Sequence, residues 1–248
     1  EHCCFGEVTY LLLKGRLPNS KELENFQRKL HQNRSLPPQV VDFIKAAPHD
    51  ASPMDVLRTG VSMLGLYDKR AKIGEPDHDE LYEAAISIIA RIPVIVAYFH
   101  RARMGLELLP VRTDLSEAAH LLYMLNGEEP TEAAVKTLDI AYTMHADHGM
   151  NASTFSARVT VATLSDIYSG MTSAIGTLKG PLHGGANEGV IHMLEKIGSE
   201  DKVDAYVEDC LAKKKKIMGI GHRVYKVLDP RAPHLKKMAL ELTEELGE

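Results

Sequence analysis

The chain has 248 residues, of which 44% are hydrophobic and 25% are charged, enough to bury one large core or two unequal domains. Its net charge of −5, from 29 basic and 34 acidic residues, argues against a general affinity for nucleic acid. Its 3 cysteines, two of them adjacent, form no disulfide or zinc pattern, which favours a reducing cytoplasm.

Capping signals predict a succession of helices in the first half of the chain. Asn19, with a glutamate three residues on, forms a capping-box pattern. Ser52 before Pro53 combines a favoured N-cap with proline at the first helical position. The apolar stretch 84–99 is too short to span a membrane comfortably, and Pro93 inside it predicts a kinked core helix.

The second half is also predicted to be helical. Asn126 and Gly127 mark the end of one helix, and the next helix is expected to continue to Gly149. Residues 153–178 are rich in alanine, glycine and serine, which lets helices approach closely inside a bundle or a dimer interface. The sequence contains no sustained two-residue alternation of hydrophobicity and no internal repeat. These patterns predict an all-α fold.

One histidine pair lies at a predicted helix end. His145 and His148 are three residues apart, with Asp147 between them. Histidine is a common zinc ligand, but the usual helical zinc motif spaces its two histidines by four and adds a glutamate. The pair is therefore compatible with a metal site or with a purely structural role, and the second is favoured.

A second histidine stands in a glycine-rich segment, "LKGPLHGGANEG", at residues 178–189. His183 is surrounded there by four glycines and a proline, and a helical pattern follows directly. The segment matches neither the dinucleotide-binding nor the P-loop motif. Either it is a tight turn that contains a histidine, or its backbone is cleared so that a ligand can reach His183.

A third histidine follows another glycine-flanked turn in "GIGHRVYKVLDPRA", residues 219–232. After His222 come the cations Arg223, Lys226 and Arg231, which suit a ligand with several carboxylates or phosphates, although a basic exposed loop is an equal alternative. Histidines on separate turns can aim hydrogen-bond donors at carbonyl oxygens, as enolate or aldol-type chemistry requires.

Together these motifs resemble the citrate synthases of the shorter bacterial and archaeal kind. The resemblance is carried by "GPLHGGANE" and "GHRVYKVLDPRA", by "HADHGMNASTFSAR" before them, and by "SPMDVLRTGVSMLG" and "EVTYLLLKGRLP" in the N-terminal half. It covers essentially the whole chain in family order. It implies a large helical domain over residues 1–182 and the first part of a smaller, substrate-closing domain over residues 183–248.

The resemblance also implies an activity and its residues. The expected enzyme is a cytoplasmic homodimer of the tricarboxylic acid cycle that condenses acetyl-CoA with oxaloacetate and water into citrate and CoA. It holds no metal and no permanent cofactor, since the CoA thioester is a co-substrate. By resemblance His183 stabilises the enol or enolate of the acetyl group, and His222 polarises the oxaloacetate ketone. The implied binding residues are His148 and Arg231 for oxaloacetate and Lys226, Gly219, Ile220 and Gly221 for CoA.

One departure from the family pattern concerns the catalytic base. The family's aspartate and further arginines are expected downstream of "DPRA", and no acidic residue after His222 matches that motif. We therefore expect a chain that is incomplete at both ends and inactive alone, because removing the methyl proton needs a positioned base.

Two alternative functions stay open from the sequence. A 2-methylcitrate synthase would use propionyl-CoA with the same histidines, because one methylene changes recognition by only about 1–3 kcal/mol. A non-catalytic relative would bind oxaloacetate or CoA without turnover.

Overall fold

The computed structural model describes residues 3–75, 77–147, 149–221 and 225–247. Across these residues the regular structure is entirely helical, which confirms the predicted all-α class. The helices are α1 (Phe5–Lys14), α2 (Ser20–Gln32), α3 (Pro38–Ala46), α4 (Pro53–Tyr67), α5 (His78–Arg103), α6 (Glu117–Asn126), α7 (Glu132–Ala146), α8 (Ala152–Val161), α9 (Ile167–Leu178), α10 (Ala186–Ile197), a 3₁₀ helix (Glu200–Lys202), α11 (Val203–Ala212) and α12 (Ala232–Leu246).

Several helix ends lie where the capping signals predict them. Asn19 Oδ1 accepts a hydrogen bond from the Glu22 backbone N–H at 3.0 Å, and Glu22 Oε2 accepts one from the Asn19 N–H at 2.9 Å. Helix α4 begins at Pro53, directly after Ser52. Helix α6 ends before Gly127, whose φ of 86° is the left-handed conformation typical of glycine at helix ends. These three predictions are confirmed.

Helix α7 ends earlier than the sequence predicts. It ends at Ala146 because Asp147 adopts an extended conformation, with φ −145° and ψ 136°. The Asp147 carboxylate accepts a hydrogen bond from the Gly149 N–H at 3.2 Å, a local bond of the kind that competes with helix continuation. The predicted end at Gly149 is therefore wrong by three residues, and the helix stops before His148, which lies outside the described residues.

Helix α5 is the central helix of the core. The helix extends beyond the apolar stretch 84–99 in both directions and continues through Pro93. The stretch was expected to be too short to span a membrane, and for the whole helix that expectation about length is wrong. Within the described part of the chain it is the one helix long and apolar enough to do so. Its Ile86, Val94 and Ile95 side chains are nonetheless fully buried against neighbouring helices, as in a core helix.

Two glycines on α4 bring it close to its neighbours and fix the position of α9. A Cβ atom on Gly60 would lie 3.2 Å from Ile95 of α5, and one on Gly65 would lie 3.1 Å from the Tyr168 Cβ of α9. Both distances are tighter than ordinary contacts, so glycine allows the helices to pack closely. Helix α9 leads directly into the glycine-rich segment, whose position therefore depends on this packing.

The remaining helices bring later segments back to the bundle. Helix α8 packs against α9, and α12 packs against α7. On α12 the side chain of Met238 is buried. These contacts connect the segment before α12 to the end of α7.

Candidate active site

The glycine-rich segment forms a compact turn between α9 and α10. The His183 N–H donates to the Gly180 carbonyl at 2.9 Å, and the Gly185 N–H donates to the Leu178 and Gly180 carbonyls at 3.1 and 3.2 Å. The chain thus folds back onto the end of α9 before α10 begins. His183 lies inside the turn, half-buried.

The chain's own folding requires two of the turn's glycines. A Cβ atom on Gly184 would clash with the Leu178 side chain, and one on Gly185 would lie 2.5 Å from the Lys179 carbonyl oxygen. Real Cβ atoms do not approach backbone oxygens this closely. The sequence left two explanations for these glycines open, a tight turn and access for a ligand. At Gly184 and Gly185 the tight turn alone explains why glycine is required.

One nitrogen of the His183 ring is held by the protein. Ser153, in the first turn of α8, shares a hydrogen bond of 2.7 Å between its Oγ and the His183 Nε2. If the hydroxyl donates this bond, the neutral ring carries its proton on Nδ1, which is then the donor available to a ligand. The bond from Ser153 orients the ring, and in that tautomer it leaves Nδ1 as the ring's N–H donor.

The loop before the third histidine packs beside α10. A Cβ atom on Gly189 would lie 2.9 Å from Met218 Cε, and one on Gly219 would lie 3.0 Å from Val190 Cγ2. Gly219 and Gly221 have φ of 80° and 82°, which glycine adopts without strain. The two glycine-flanked motifs are thereby adjacent at the beginning of α10. His222 lies outside the described residues.

The exposed side of this loop carries the residues that the resemblance assigns to CoA. The Ile220 side chain is 73% exposed, and Lys226 is also exposed. An apolar side chain and an ammonium group at the surface can contact a ligand without rearrangement of the core.

Arg231 is held just before α12 by a neighbouring carboxylate. Asp229 accepts two hydrogen bonds from the guanidinium of Arg231, at 2.8 and 3.1 Å, and a third from the backbone N–H of Arg231, at 2.9 Å. These bonds raise the pKa of Arg231 and keep it ionised. A further guanidinium N–H lies 3.5 Å from the Met144 carbonyl of α7, so Arg231 sits against the helix end that precedes His148.

The described residues contain no group of three or more histidine, cysteine or acidic side chains arranged to hold a metal ion. His145 Nδ1 lies 2.6 Å from the Ala141 carbonyl of its own helix, an interaction that suits the structural role.

Comparisons with known proteins identify this arrangement. Residues 1–248 match the family described as "Citrate synthase, C-terminal domain". The chain belongs to the citrate synthase family. It is 50% identical over 249 residues to citrate synthase 2 of Bacillus subtilis, covering 100% of this chain and 66% of that protein. The predicted family and the predicted fold are therefore confirmed.

Two further members bear on the substrates. The chain is 39% identical to 2-methylcitrate synthase 2 of Corynebacterium glutamicum, covering 98% of this chain and 64% of that protein. It also superposes with a TM-score of 0.91 and 31% identity on the Thermoplasma acidophilum citrate synthase, solved as a ternary complex with carboxymethyl coenzyme A and oxaloacetate. That match covers 98% of this chain and 63% of the other. The chain thus spans about two thirds of the length of these citrate synthase family members.

Ser153 is the functional candidate that sequence reasoning missed. Ser153 begins the stretch 153–178 that is rich in small residues, and it stands in the "HADHGMNASTFSAR" motif that carries the family resemblance, but neither pattern assigns it a role. Its hydrogen bond joins residues thirty positions apart, which spacing alone does not reveal. The available signal was its place in the first turn of α8, after the N-cap Asn151, beside the histidine cluster.

Proposed function

We propose that this protein condenses acetyl-CoA with oxaloacetate and water to give citrate and CoA. The observation that carries the proposal is the His183 ring, which lies in the turn between α9 and α10 with its Nε2 hydrogen-bonded to Ser153. With the proton on Nδ1, that nitrogen can donate to a carbonyl oxygen. Membership of the citrate synthase family supports the same reaction. The family also supports a CoA thioester as co-substrate, and we propose no permanently bound cofactor or metal.

In the proposed reaction a base removes a proton from the acetyl methyl group, and His183 donates a hydrogen bond to the thioester oxygen as negative charge develops there. The resulting enol or enolate carbon attacks the ketone carbon of oxaloacetate, whose oxygen accepts a hydrogen bond from His222. The C=O π pair moves to that oxygen, which takes up one proton, equal in number to the one removed from the methyl group, and becomes the hydroxyl of citryl-CoA. Water then hydrolyses the thioester of the citryl-CoA formed, releasing citrate and CoA.

The binding roles follow the family positions. We propose that Arg231 and His148 bind oxaloacetate, with Arg231 offering a guanidinium fork to a carboxylate. Because Asp229 holds this guanidinium through two of its N–H groups, the substrate carboxylate must use other N–H groups or displace Asp229. The proposed CoA contacts are Lys226, Gly219, Ile220 and Gly221, and the open surface of the loop is consistent with them.

We also propose that the chain divides into a larger domain, residues 1–182, and part of a smaller one, residues 183–248. The three hydrophobic clusters of the described residues consist of side chains that precede residue 183, which supports a boundary there.

We propose a cytoplasmic homodimer that acts in the tricarboxylic acid cycle and binds neither nucleic acid nor membranes. Large apolar side chains are exposed on α4 and α10, among them Leu66, Ile191 and Leu194, and such surfaces commonly mark contacts between subunits. The three free thiols suit a reducing compartment. Analytical ultracentrifugation of the purified protein tests the dimer.

The test of the reaction is the release of CoA thiol by the complete gene product with oxaloacetate, offered acetyl-CoA and propionyl-CoA in turn. We expect faster release from acetyl-CoA, and a His183→Ala variant should lower turnover roughly 100- to 1000-fold, the cost of one lost oxyanion donor. His49→Ala, at an exposed histidine, is the matched control and should keep the wild-type rate.

Three outcomes would contradict parts of the proposal. Faster release from propionyl-CoA would make the protein a 2-methylcitrate synthase. Binding of oxaloacetate without release from either thioester would make it a non-catalytic relative. A His183→Ala variant with the wild-type rate would remove His183 from the mechanism.

A further inference from the structure

An ion pair joins the beginning of α4 to the end of α9. Lys179, directly after α9, donates a hydrogen bond from Nζ to Asp55 Oδ2 at 2.6 Å. The other oxygen of the same carboxylate lies 3.1 Å from Arg58 Nη2, one turn further along α4. The hydrogen bond from Lys179 lowers the pKa of Asp55 below its usual value, so the carboxylate stays ionised at neutral pH.

Lys179 also belongs to the backbone of the turn that carries His183. Its carbonyl oxygen is the atom that a Cβ on Gly185 would approach to 2.5 Å, and the neighbouring Leu178 and Gly180 carbonyls accept the Gly185 N–H. The carbonyls on either side of Lys179 therefore accept the hydrogen bonds that close the turn, and the Lys179 carbonyl itself packs against Gly185.

We propose that Asp55 and Lys179 are positioning residues for His183, holding its turn to α4 at the distance that productive donation to the thioester requires. The ring is then held from two directions: Ser153 fixes Nε2 from α8, and Asp55 fixes the backbone of the turn from α4. This inference rests on the proposed function, since it assigns the pair a role in turnover by His183.

The side chains of the pair are partly exposed, so its contribution to overall stability is small. Its effect on turnover is larger, because a displacement of about 1 Å at a reacting group can lower the rate by up to roughly 100-fold. Loss of either partner should therefore affect turnover more than it affects folding or substrate binding.

The experiment measures kcat and KM of the complete gene product with Asp55→Asn, Lys179→Met and the double variant. We expect kcat to fall roughly tenfold in each variant, as for a displacement of less than 1 Å, while KM for oxaloacetate is unchanged. The kcat of the double variant should be no lower than that of either single variant, because both changes remove the same ion pair. Lys179→Arg should restore most of the rate. Glu80→Gln, which removes the similarly exposed 2.7 Å pair with Lys72, is the control and should leave kcat unchanged.

A second readout separates this inference from the reaction itself. In protein labelled with ¹⁵N at histidine, the ring signals of His183, assigned by their loss in His183→Ala, should shift in Asp55→Asn and not in Glu80→Gln. Wild-type kcat together with unshifted signals in Asp55→Asn would overturn the positioning role while leaving the reaction intact. Shifted signals in a protein that releases no CoA would overturn the reaction and retain the positioning role.

Discussion

A buried histidine should make the protein sensitive to mild acid. His120 on α6 is 1% exposed, and its Nε2 has no hydrogen-bond partner among the described residues. Burial, and secondly the positive charge of Arg34, lower its pKa from 6.5 to about 3. The remaining charged or titratable groups that act on it are His31, Arg112 and Asp114.

The sign of the effect follows from proton linkage. The unfolded chain takes up a proton at this histidine below pH 6.5, whereas the folded protein does so only near pH 3. Unfolding is therefore favoured progressively as the pH falls between these two values, and the stability is unaffected by this group above them. At pH 5 the loss relative to pH 7 is about 2 kcal/mol. This is a large part of the roughly 5–15 kcal/mol that stabilises a typical protein.

The assay is equilibrium unfolding in urea at pH 7 and pH 5, at one protein concentration, for the wild type and His120→Asn. Asparagine removes the titration while keeping a polar group at the buried position, so the variant should be less stable at pH 7 but lose about 2 kcal/mol less on acidification. His49→Asn, at an exposed histidine, should keep the wild-type pH dependence.

Comparing variants at the same two pH values cancels the contributions of the other titrating groups. Asp68, for example, contributes little in this interval. Burial raises the pKa of its carboxyl, but the hydrogen bonds from Arg70 and Tyr168 outweigh burial and lower the pKa to about 2. An identical loss of stability in the wild type and His120→Asn would refute the reasoning. If His120→Asn does not fold, His120→Gln provides the same comparison.

Two further predictions concern packing near the proposed site. Gly185→Ala should cost roughly 1–3 kcal/mol of unfolding free energy because its Cβ would meet the Lys179 carbonyl. Gly176→Ala, in the last turn of α9, should be neutral or stabilising by up to about 1 kcal/mol; calorimetry of both variants decides, and equal stabilities would contradict the packing reason. Leu64→Ala should cost about 2–5 kcal/mol because the side chain is fully buried. Leu12→Ala, at an exposed side chain on α1, should change the stability by less than about 0.5 kcal/mol in urea unfolding, and the reverse order would contradict the described burial.

Helix boundaries were predictable from sequence where a single residue type determines them. Asn19, Pro53 and Gly127 impose local backbone conformations, and the helices begin or end beside them as predicted. The prediction for the end of α7 was wrong because Gly149 is a strong local stop signal, whereas the backbone leaves the helix earlier, at Asp147, whose carboxylate forms its own local hydrogen bond.

Long-range polar contacts were not predictable in the same way. In the sequence His120 is one polar residue in an amphipathic helix, and the charged groups around it come from the end of α2, from the loop after α2 and from the loop before α6. His31 Nε2, for example, lies 3.3 Å from Glu117 Oε1 across a separation of 86 residues. The candidate site shows the same limit, since the motifs identified His183 but not the bonds that hold its turn.

The bonds that hold this turn explain why it is a suitable place for His183. A helix would fix the backbone but direct the side chain along one face, whereas an unsupported loop would let the ring move and weaken any oriented hydrogen bond. In this turn the N–H groups of His183 and Gly185 are bonded internally, two glycines pack without space for a side chain, and Ser153 bonds one nitrogen of the ring. Little ordering is then required when the substrate arrives, and a preorganised donor stabilises developing negative charge better than one that must first be oriented. Substitutions that loosen the turn should accordingly lower turnover before they lower substrate affinity.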